Sequence, residues 1–532
     1  MRQYKLVAGL LAAAVLAGCN GGGSAGNQST KIKFTSQVSF GDSLSDVGTY
    51  AVGGVFALHG GKYTVNTLTP SQQNWTELMA ASLGLPAPCA AETGLAGSGT
   101  GFNVTPVMHA GCYGYGQGGA RVTDPAGIGS ATLNPAFGGS MILGQLTVPV
   151  KVQIQNHLAA VGGKFTGTEA VFVLAGANDV FANYAMSAVA AGNAAVQTLV
   201  TNQITADVTA KVTSDIASHA CTPANAQATN CQAQAEGELW AASLGSGLSA
   251  AITAQVTADI GAGTCAIANA NTTCITQAET ELTTAYFSAT GGATTAAEGE
   301  LWQASLGSPQ AVAAAVTAQV MADISAGTCA PANAQTTCAL NAETELVTAY
   351  LTAQGTAAGN AAGTSGPGAT AAIAAMAQAG KELAGYVNTQ IVGNGANYVT
   401  VLNIPDIGTT PFGNSLAPAA LALVNSMVQT FNTNLQSNLA TVPSILYVDV
   451  NNQSHLNTQN PSQYGLTNVT APACNLSKSV NPLASSLVCT TSNVIPGDIS
   501  HYLFADYVHP TPYGYSLLAK YTATQMALRG WL

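Results

Sequence analysis

Four short apolar runs do most to limit what this chain can fold into. They read SQVSF (36–40), EAVFVLAG (169–176), NYVTVLNI (397–404) and SILYVDV (444–450). A half-buried strand alternates apolar and polar residues, whereas an unalternating run suits a strand covered on both faces. Helical patterns lie between or after these runs, at 71–83, 144–160, about 367–391, 415–440 and 512–528. Strands and helices in this alternation predict an α/β architecture, a parallel sheet with helices on both faces. In such sheets functional groups gather beyond the carboxyl ends of the strands.

The 532 residues exceed what one compact core usually holds, so two structural units are expected. The second is visible as a repeat between about 194 and 355. TADIGAGTCAIANANTTCITQAETELTTAY (257–286) and MADISAGTCAPANAQTTCALNAETELVTAY (321–350) are near copies, and 213–243 is a weaker third. AEGELW recurs at 235 and 297. Before each cysteine pair apolar residues stand four apart, as in Val312, Val316, Val320 and Ile324, which is one stripe of an amphipathic helix. Each unit is expected to be a helical hairpin stapled at its tip, and stacked units would form an appendage or a cap. The paired glutamates, Glu279/Glu281 and Glu343/Glu345, are read as solvated charges.

Charged residues make up only 7% of the chain, with a net charge of −11. Phosphate binding needs clustered Lys and Arg, so nucleic acid is not an expected partner. At the amino terminus Arg2 and Lys5 precede the apolar run LVAGLLAAAVLAG, too short to span a bilayer. The run ends in LAGC, Leu16 to Cys19, followed by NGGGSAGNQST. This resembles the lipobox of bacterial lipoproteins. The resemblance implies a signal peptide over 1–18, a lipidated Cys19 as membrane anchor, a flexible tether over 19–33, and export. Asn20 after the cysteine would place the protein at the outer membrane.

Removing Cys19 leaves ten cysteines in close pairs: Cys89/Cys112, Cys221/Cys231, Cys265/Cys274, Cys329/Cys338 and Cys474/Cys489. In an exported chain an even set of local pairs reads as disulfides. Zinc is the rival reading, but there is no CxxC and no adjacent histidine cluster, so no metal is expected.

Two matches to nucleophile motifs compete. GGSAG (22–26) fits G-x-S-x-G but lies in the tether, without the strand and helix that motif needs. In SFGDSLSDVGT (39–49), Ser43 follows the end of a predicted strand, and Gly41 permits a sharp turn. Alone it is equally a turn or cap serine. Near the other end, FADYVHPTP (504–512) sets Asp506 three residues before His509, so one turn brings both side chains to one side. A carboxylate there can hold one imidazole nitrogen while the other faces out, the base half of a Ser–His–Asp triad. Its local alternative is a surface histidine beside a proline turn. Between these ends, GGARV brings Gly119 after aromatic residues, and GAND places Asn178 just after a strand, where it could equally cap a helix. Backbone N–H groups of Ser43 and Gly119 with the Asn178 amide would supply three oxyanion donors.

The ordered set FGDSLSD, GGARV, GAND and DYVHP resembles the SGNH, or GDSL-type, esterase/lipase family. NWTELMAASLGLP and VLNIPDIGTTP are family-like as well. The resemblance implies a flavodoxin-like three-layer α/β/α sandwich over 34–193 and 361–532, interrupted at 194–360 by the disulfide-stapled helical repeats. It implies Ser43 as nucleophile, His509 as base, Asp506 as its orienting acid, and Ser43, Gly119 and Asn178 as the oxyanion hole. The expected function is hydrolysis of carboxylic esters through an acyl-enzyme, with no cofactor. Acyl transfer to an alcohol on the same residues is the alternative, and a surface-binding lipoprotein with a relict site is another. With about 20 residues after His509 in this sequence, the carboxyl-terminal barrel of GDSL autotransporters is not expected. Neither the natural ester nor a partner for the repeats is legible.

Overall fold

The computed structural model describes residues 32–67, 73–134, 138–218, 229–244, 248–262, 264, 273–288, 292–361 and 366–532. The expected signal peptide, Cys19, the GGSAG motif and most of the tether lie outside the described residues.

Among the described residues six strands form two sheets. β1 (Ser36–Gly41), β4 (Glu169–Leu174), β5 (Val399–Leu402) and β6 (Ile445–Val448) form one parallel sheet in that order. β2 (Glu92–Ala96) and β3 (Asn103–Met108) form a separate antiparallel hairpin. The main sheet arises from the four apolar runs: β1 continues one residue past its run to Gly41, while β4, β5 and β6 are shorter than theirs. Val38, Val171, Val399 and Ile445 pair across it in register.

Helices cover both faces, which explains the missing alternation. Three of those described are α1 (Trp75–Ser82), α2 (Val150–Ala160) and the long α3 (Ala177–Ala217). The repeats supply α4 (Thr229–Leu244), α5 (Leu248–Ala262), α6 (Thr273–Tyr286), α7 (Gly292–Leu306), α8 (Pro309–Ala326) and α9 (Thr337–Ala361). α10 (Pro367–Tyr386), α11 (Pro418–Asn438) and α12 (Pro512–Leu528) complete the set used below. The Val38 row packs with Ile154 of α2, Met376 and Leu383 of α10, and Phe431 of α11. The opposite face, Phe172, Leu174, Leu402 and Val448, packs with Trp75 and Met79 of α1 and Tyr515 and Met526 of α12.

Helix boundaries follow local chemistry. The helix expected from 144 starts at Val150, because Pro149 restricts the residue before it and stands as the cap. α1 begins at a capping box, with Asn74 accepting from Thr76 N–H and Glu77 accepting from Asn74 N–H at 2.9 Å. α10 gives way to a π turn over Val387–Ile391. α12 matches the expected 512–528, started by Pro512 and a Thr511 cap.

α3 is 41 residues long, about 62 Å, and runs through position 193 without a break. Its direction follows from α10, which packs antiparallel to it. Asn183 meets Met376, while Gly368 lies against Ser187 and Ala190. The chain beyond α10 reaches Asn394, whose carbonyl accepts from Phe165 N–H just before β4. α10 therefore descends to the amino edge of the sheet, and α3 climbs away from the carboxyl edge. The repeats consequently stand on the side where the strands end.

In the repeats, α8 and α9 form the expected hairpin, closed by Cys329–Cys338. Val320, Cys338 and Ala342 are its buried centre, with Val316 and Ile324 beside them. Cys231 is also disulfide-bonded, but Cys221, Cys265 and the Cys274 side chain lie outside what is described. The paired glutamates are not merely solvated. Gln255 donates to Glu281 and Gln319 to Glu345, the same bond in two repeats, tying facing helices together. Outside the repeats, Cys89–Cys112 and Cys474–Cys489 are bridged. No helix among the described residues is long and apolar enough to cross a membrane.

Candidate active site

β1 carries the chain to Gly41, which has a φ of 154° and where a Cβ would meet the Leu174 carbonyl oxygen at 2.1 Å. A single 3-10 turn over Ser43–Ser45 follows, capped by Asp42, whose Oδ1 accepts from Leu44 N–H at 3.0 Å. Ser43 is thereby fixed at the carboxyl edge, 8% exposed. Burial pushes the Asp42 carboxyl up to about 7, against the opposing pull of the Leu44 N–H and the His509 charge.

His509 arrives from a tight loop before α12. Ala505 N–H donates to the His509 carbonyl at 2.7 Å. Asp506 Oδ1 accepts from the N–H groups of Val508 and His509, and Oδ2 from Ser486 N–H at 3.0 Å. His509 Nδ1 lies 2.9 and 2.8 Å from the two Asp506 oxygens. Burial alone would raise this carboxyl, but the His509 charge and these hydrogen bonds outweigh it and hold Asp506 below the usual carboxylate range. An ionised carboxylate only accepts, so Nδ1 bears the proton and Nε2 is left as acceptor. Nε2 lies 2.9 Å from Ser43 Oγ. The Tyr63 ring, 4.8 Å from the imidazole, walls its other side.

Gly119 is delivered by an extended segment along the free edge of β1. Ser39 N–H donates to the Tyr113 carbonyl, Tyr115 N–H to Ser39 and Gln117 N–H to Gly41. The Cys89–Cys112 bridge anchors the start of that segment. Gly119 has a φ of 80°, and a Cβ would meet the Ile128 carbonyl oxygen at 1.9 Å. Asn178, in the first turn of α3, gives one amide hydrogen to the Ala120 carbonyl at 2.9 Å and keeps the other. Among the described residues, neither the Ser43 nor the Gly119 N–H has an acceptor.

Two buried aspartates that sequence reasoning did not assign hold this loop. Asp46 accepts from Gly48 and Thr49 N–H with Oδ1 and from Gly118 N–H with Oδ2, at 2.8–2.9 Å. Asp179 accepts from Val122 N–H and Arg121 Nε. Burial raises both carboxyls, Asp46 to about 6, against those donors. Their signal was only adjacency, each lying within three residues of a site residue in FGDSLSD and GAND.

A second His–Asp pair escaped the sequence altogether. His455 Nδ1 lies 2.7 Å from Asp406 Oδ2, from partners 49 positions apart. Its ring is half exposed, and among the described residues no hydroxyl meets its Nε2.

Residues 278–522 match the family model of the GDSL-like lipases/acylhydrolases. The chain carries a GDSL-like lipase/acylhydrolase domain. No curated protein matches it. The matched stretch includes Asp506 and His509 but begins inside the repeats, after Ser43, Gly119 and Asn178. Those three are tied to the GDSL domain by geometry: the sheet brings β1, β4 and the loop before α12 to one edge. By its description that family is one of lipases and acylhydrolases.

Proposed function

We propose that the GDSL domain is a serine esterase, built on the flavodoxin-like sandwich of the SGNH family and working through Ser43, His509 and Asp506. The observation that carries this reading is the continuous chain Ser43 Oγ, His509 Nε2, His509 Nδ1 and Asp506, with every link at 2.8–2.9 Å. Ser43 Oγ attacks the ester carbonyl carbon as His509 Nε2 takes its proton. The carbonyl oxygen, now negative, accepts from the Ser43 and Gly119 N–H groups and the remaining Asn178 amide hydrogen. Collapse expels the alkoxide, which takes the proton from Nε2 and leaves as the alcohol. Water, deprotonated by His509, then releases the acid and restores Ser43. Asp506 stays ionised and steadies the imidazolium.

Hydrolysis of a para-nitrophenyl ester tests this. Wild type should turn it over and Ser43→Ala should not; equal rates from both would reject the reading. With an added alcohol, free acid as the main product supports hydrolysis, whereas a new ester would assign acyl transfer to the same residues.

The exported, lipid-anchored state is part of the proposal and rests on LAGC and the glycine-rich stretch after it. Cys19→Ser should move the protein from the membrane fraction to the soluble one. An unchanged distribution would count against the anchor.

A further inference from the structure

Beyond the triad and the oxyanion donors, one aromatic side chain lies against a reacting group. Tyr63 is buried, and its ring sits 4.8 Å from the His509 imidazole at an inclination of 35°, closer to stacked than to edge-on. We propose that Tyr63 is a positioning residue whose ring face stabilises the His509 imidazolium formed when Ser43 gives up its proton. The proposal rests on the esterase reading and adds a residue to its mechanism.

Position supports this first. The segment around Tyr63 is pinned to the chain that delivers His509 and Asp506. Gly61 N–H donates to the Leu487 carbonyl and Asn66 N–H to the Cys489 carbonyl. Thr64 Oγ1 donates to the carbonyl of Pro510, the residue after His509, at 3.0 Å. Tyr515 of α12 donates its hydroxyl to the Tyr63 carbonyl at 3.1 Å. The far end of the ring is held as well. Its hydroxyl accepts from Gln145 Nε2 and fills the space that a Cβ on Gly118 would need. Ring and imidazole are thereby kept in one geometry.

Electrostatics gives that geometry a role. An aromatic face carries negative potential and attracts a cation within about 6 Å of its centre, whereas a neutral imidazole gains little from it. Burial pushes the Tyr63 hydroxyl well above its ordinary range, so the ring itself stays uncharged. The charge on His509 appears only as Nε2 takes the Ser43 proton. The attraction therefore strengthens in the transition state and not in the substrate complex, which raises kcat without tightening binding. The charged and titratable groups facing the imidazole are Asp506 at Nδ1, Ser43 at Nε2 and Asp42, whose charge acts on His509 through space. All three are kept in the comparison that tests the ring.

That test compares wild type, Tyr63→Leu and Tyr63→Phe. Leucine keeps an apolar wall and removes the ring; phenylalanine keeps the ring and removes the hydroxyl. The imidazole resonance of His509, identified by its absence from His509→Ala, is followed by NMR against pH. Tyr63→Leu should move its titration midpoint down by about 0.4–1.5 pH units, because the protonated form loses its support, while Tyr63→Phe should keep the wild-type midpoint. On a para-nitrophenyl ester, Tyr63→Leu should lower kcat about two- to thirtyfold with KM little changed, and Tyr63→Phe should recover most of that loss. A Tyr63→Leu midpoint at or above the wild-type one would overturn the proposal and make the ring an inert wall. An equal fall in both variants would overturn it too, by assigning the effect to the hydroxyl. The midpoint needs no turnover. A fall confined to Tyr63→Leu, in a protein whose wild type and Ser43→Ala hydrolyse the ester equally, would retire the esterase reading and leave the ring's support of the imidazolium standing.

Discussion

Ser43 Oγ and His509 Nε2 lie 2.9 Å apart although 466 positions separate them. Their meeting is a consequence of the sheet's far face. β1 ends at the turn that holds Ser43, and α12, which begins three residues after His509, packs through Tyr515 and Met526 against Phe172 and Leu174. Burying these large side chains fixes where α12 starts, and so where the imidazole sits.

Asp506 sets the tautomer of that imidazole. In Asp506→Asn the amide can donate to Nδ1, which moves the proton to Nε2 and removes the acceptor facing Ser43. We expect kcat to fall about 10³- to 10⁴-fold with KM little changed. Steady-state kinetics on a para-nitrophenyl ester decides it, and an unaltered kcat would remove Asp506 from the mechanism.

Gly119→Ala should cost activity where Gly84→Ala does not. Both glycines have positive φ, but a Cβ at Gly84 meets nothing within 4 Å, while one at Gly119 strikes the Ile128 carbonyl. Each substitution carries the strain of about 1–2 kcal/mol for a left-handed residue. Only Gly119→Ala should displace an oxyanion donor, lowering kcat about a hundredfold or more. Similar kcat values for the two variants would contradict the assignment.

Asp46→Asn tests the loop that presents Gly119. The amide must set an N–H₂ against at least one backbone donor, which costs on the order of 1–3 kcal/mol of stability. Because the Gly118 N–H is one of those donors, kcat should drop about tenfold or more while KM hardly moves. Denaturant unfolding and kinetics read both; lost stability with intact kcat would make Asp46 a purely structural residue.

The strands, the helices covering them and the residues of the candidate site could be picked out because each rests on local pattern: short apolar runs, an Asp three before a His, a glycine after a strand. What was not legible depends on distance along the chain. His455 and Asp406 gave no hint of each other, nor did Ser486 of Asp506. The rise of α3 over the carboxyl edge could not be read from an alanine-rich repeat, because an amphipathic stripe fixes which face is buried but not where the helix points. The glutamate pairs looked solvated because the glutamines that meet them lie one helix away, 26 positions back.

Acid should destabilise the fold through His157. Its ring is buried against Phe40, Tyr113, Tyr115 and Phe165, and among the described residues neither nitrogen has a partner. Burial lowers its pKa from 6.5 to about 4, with Glu169 opposing. Between those values the unfolded chain binds the proton and the folded chain does not, so stability falls as pH drops from 6.5 towards 4. The loss is about 2–3 kcal/mol. Urea unfolding at pH 7.5 and 4.5 should show it in wild type and show less in His157→Phe; equal losses would clear His157.

Reduction should reach the site through Cys474–Cys489. This bridge closes a separation of 15 residues and lies in a small core with Ala505, while Ser486, three before Cys489, donates to Asp506. Replacing both cysteines by serine should cost about 3 kcal/mol. It should also lower kcat, because the Ser486 N–H no longer holds Asp506 in place. A variant that loses stability yet keeps full kcat in native conditions would separate the bridge from catalysis.

The most direct test of the central claim is covalent. Wild-type protein treated with a fluorophosphonate, digested and analysed by mass spectrometry should carry one phosphonyl adduct, on Ser43. His509→Ala should label far more slowly, and Ser43→Ala not at all. An adduct on any other residue, or equal labelling of Ser43→Ala, would contradict a nucleophile at the end of β1.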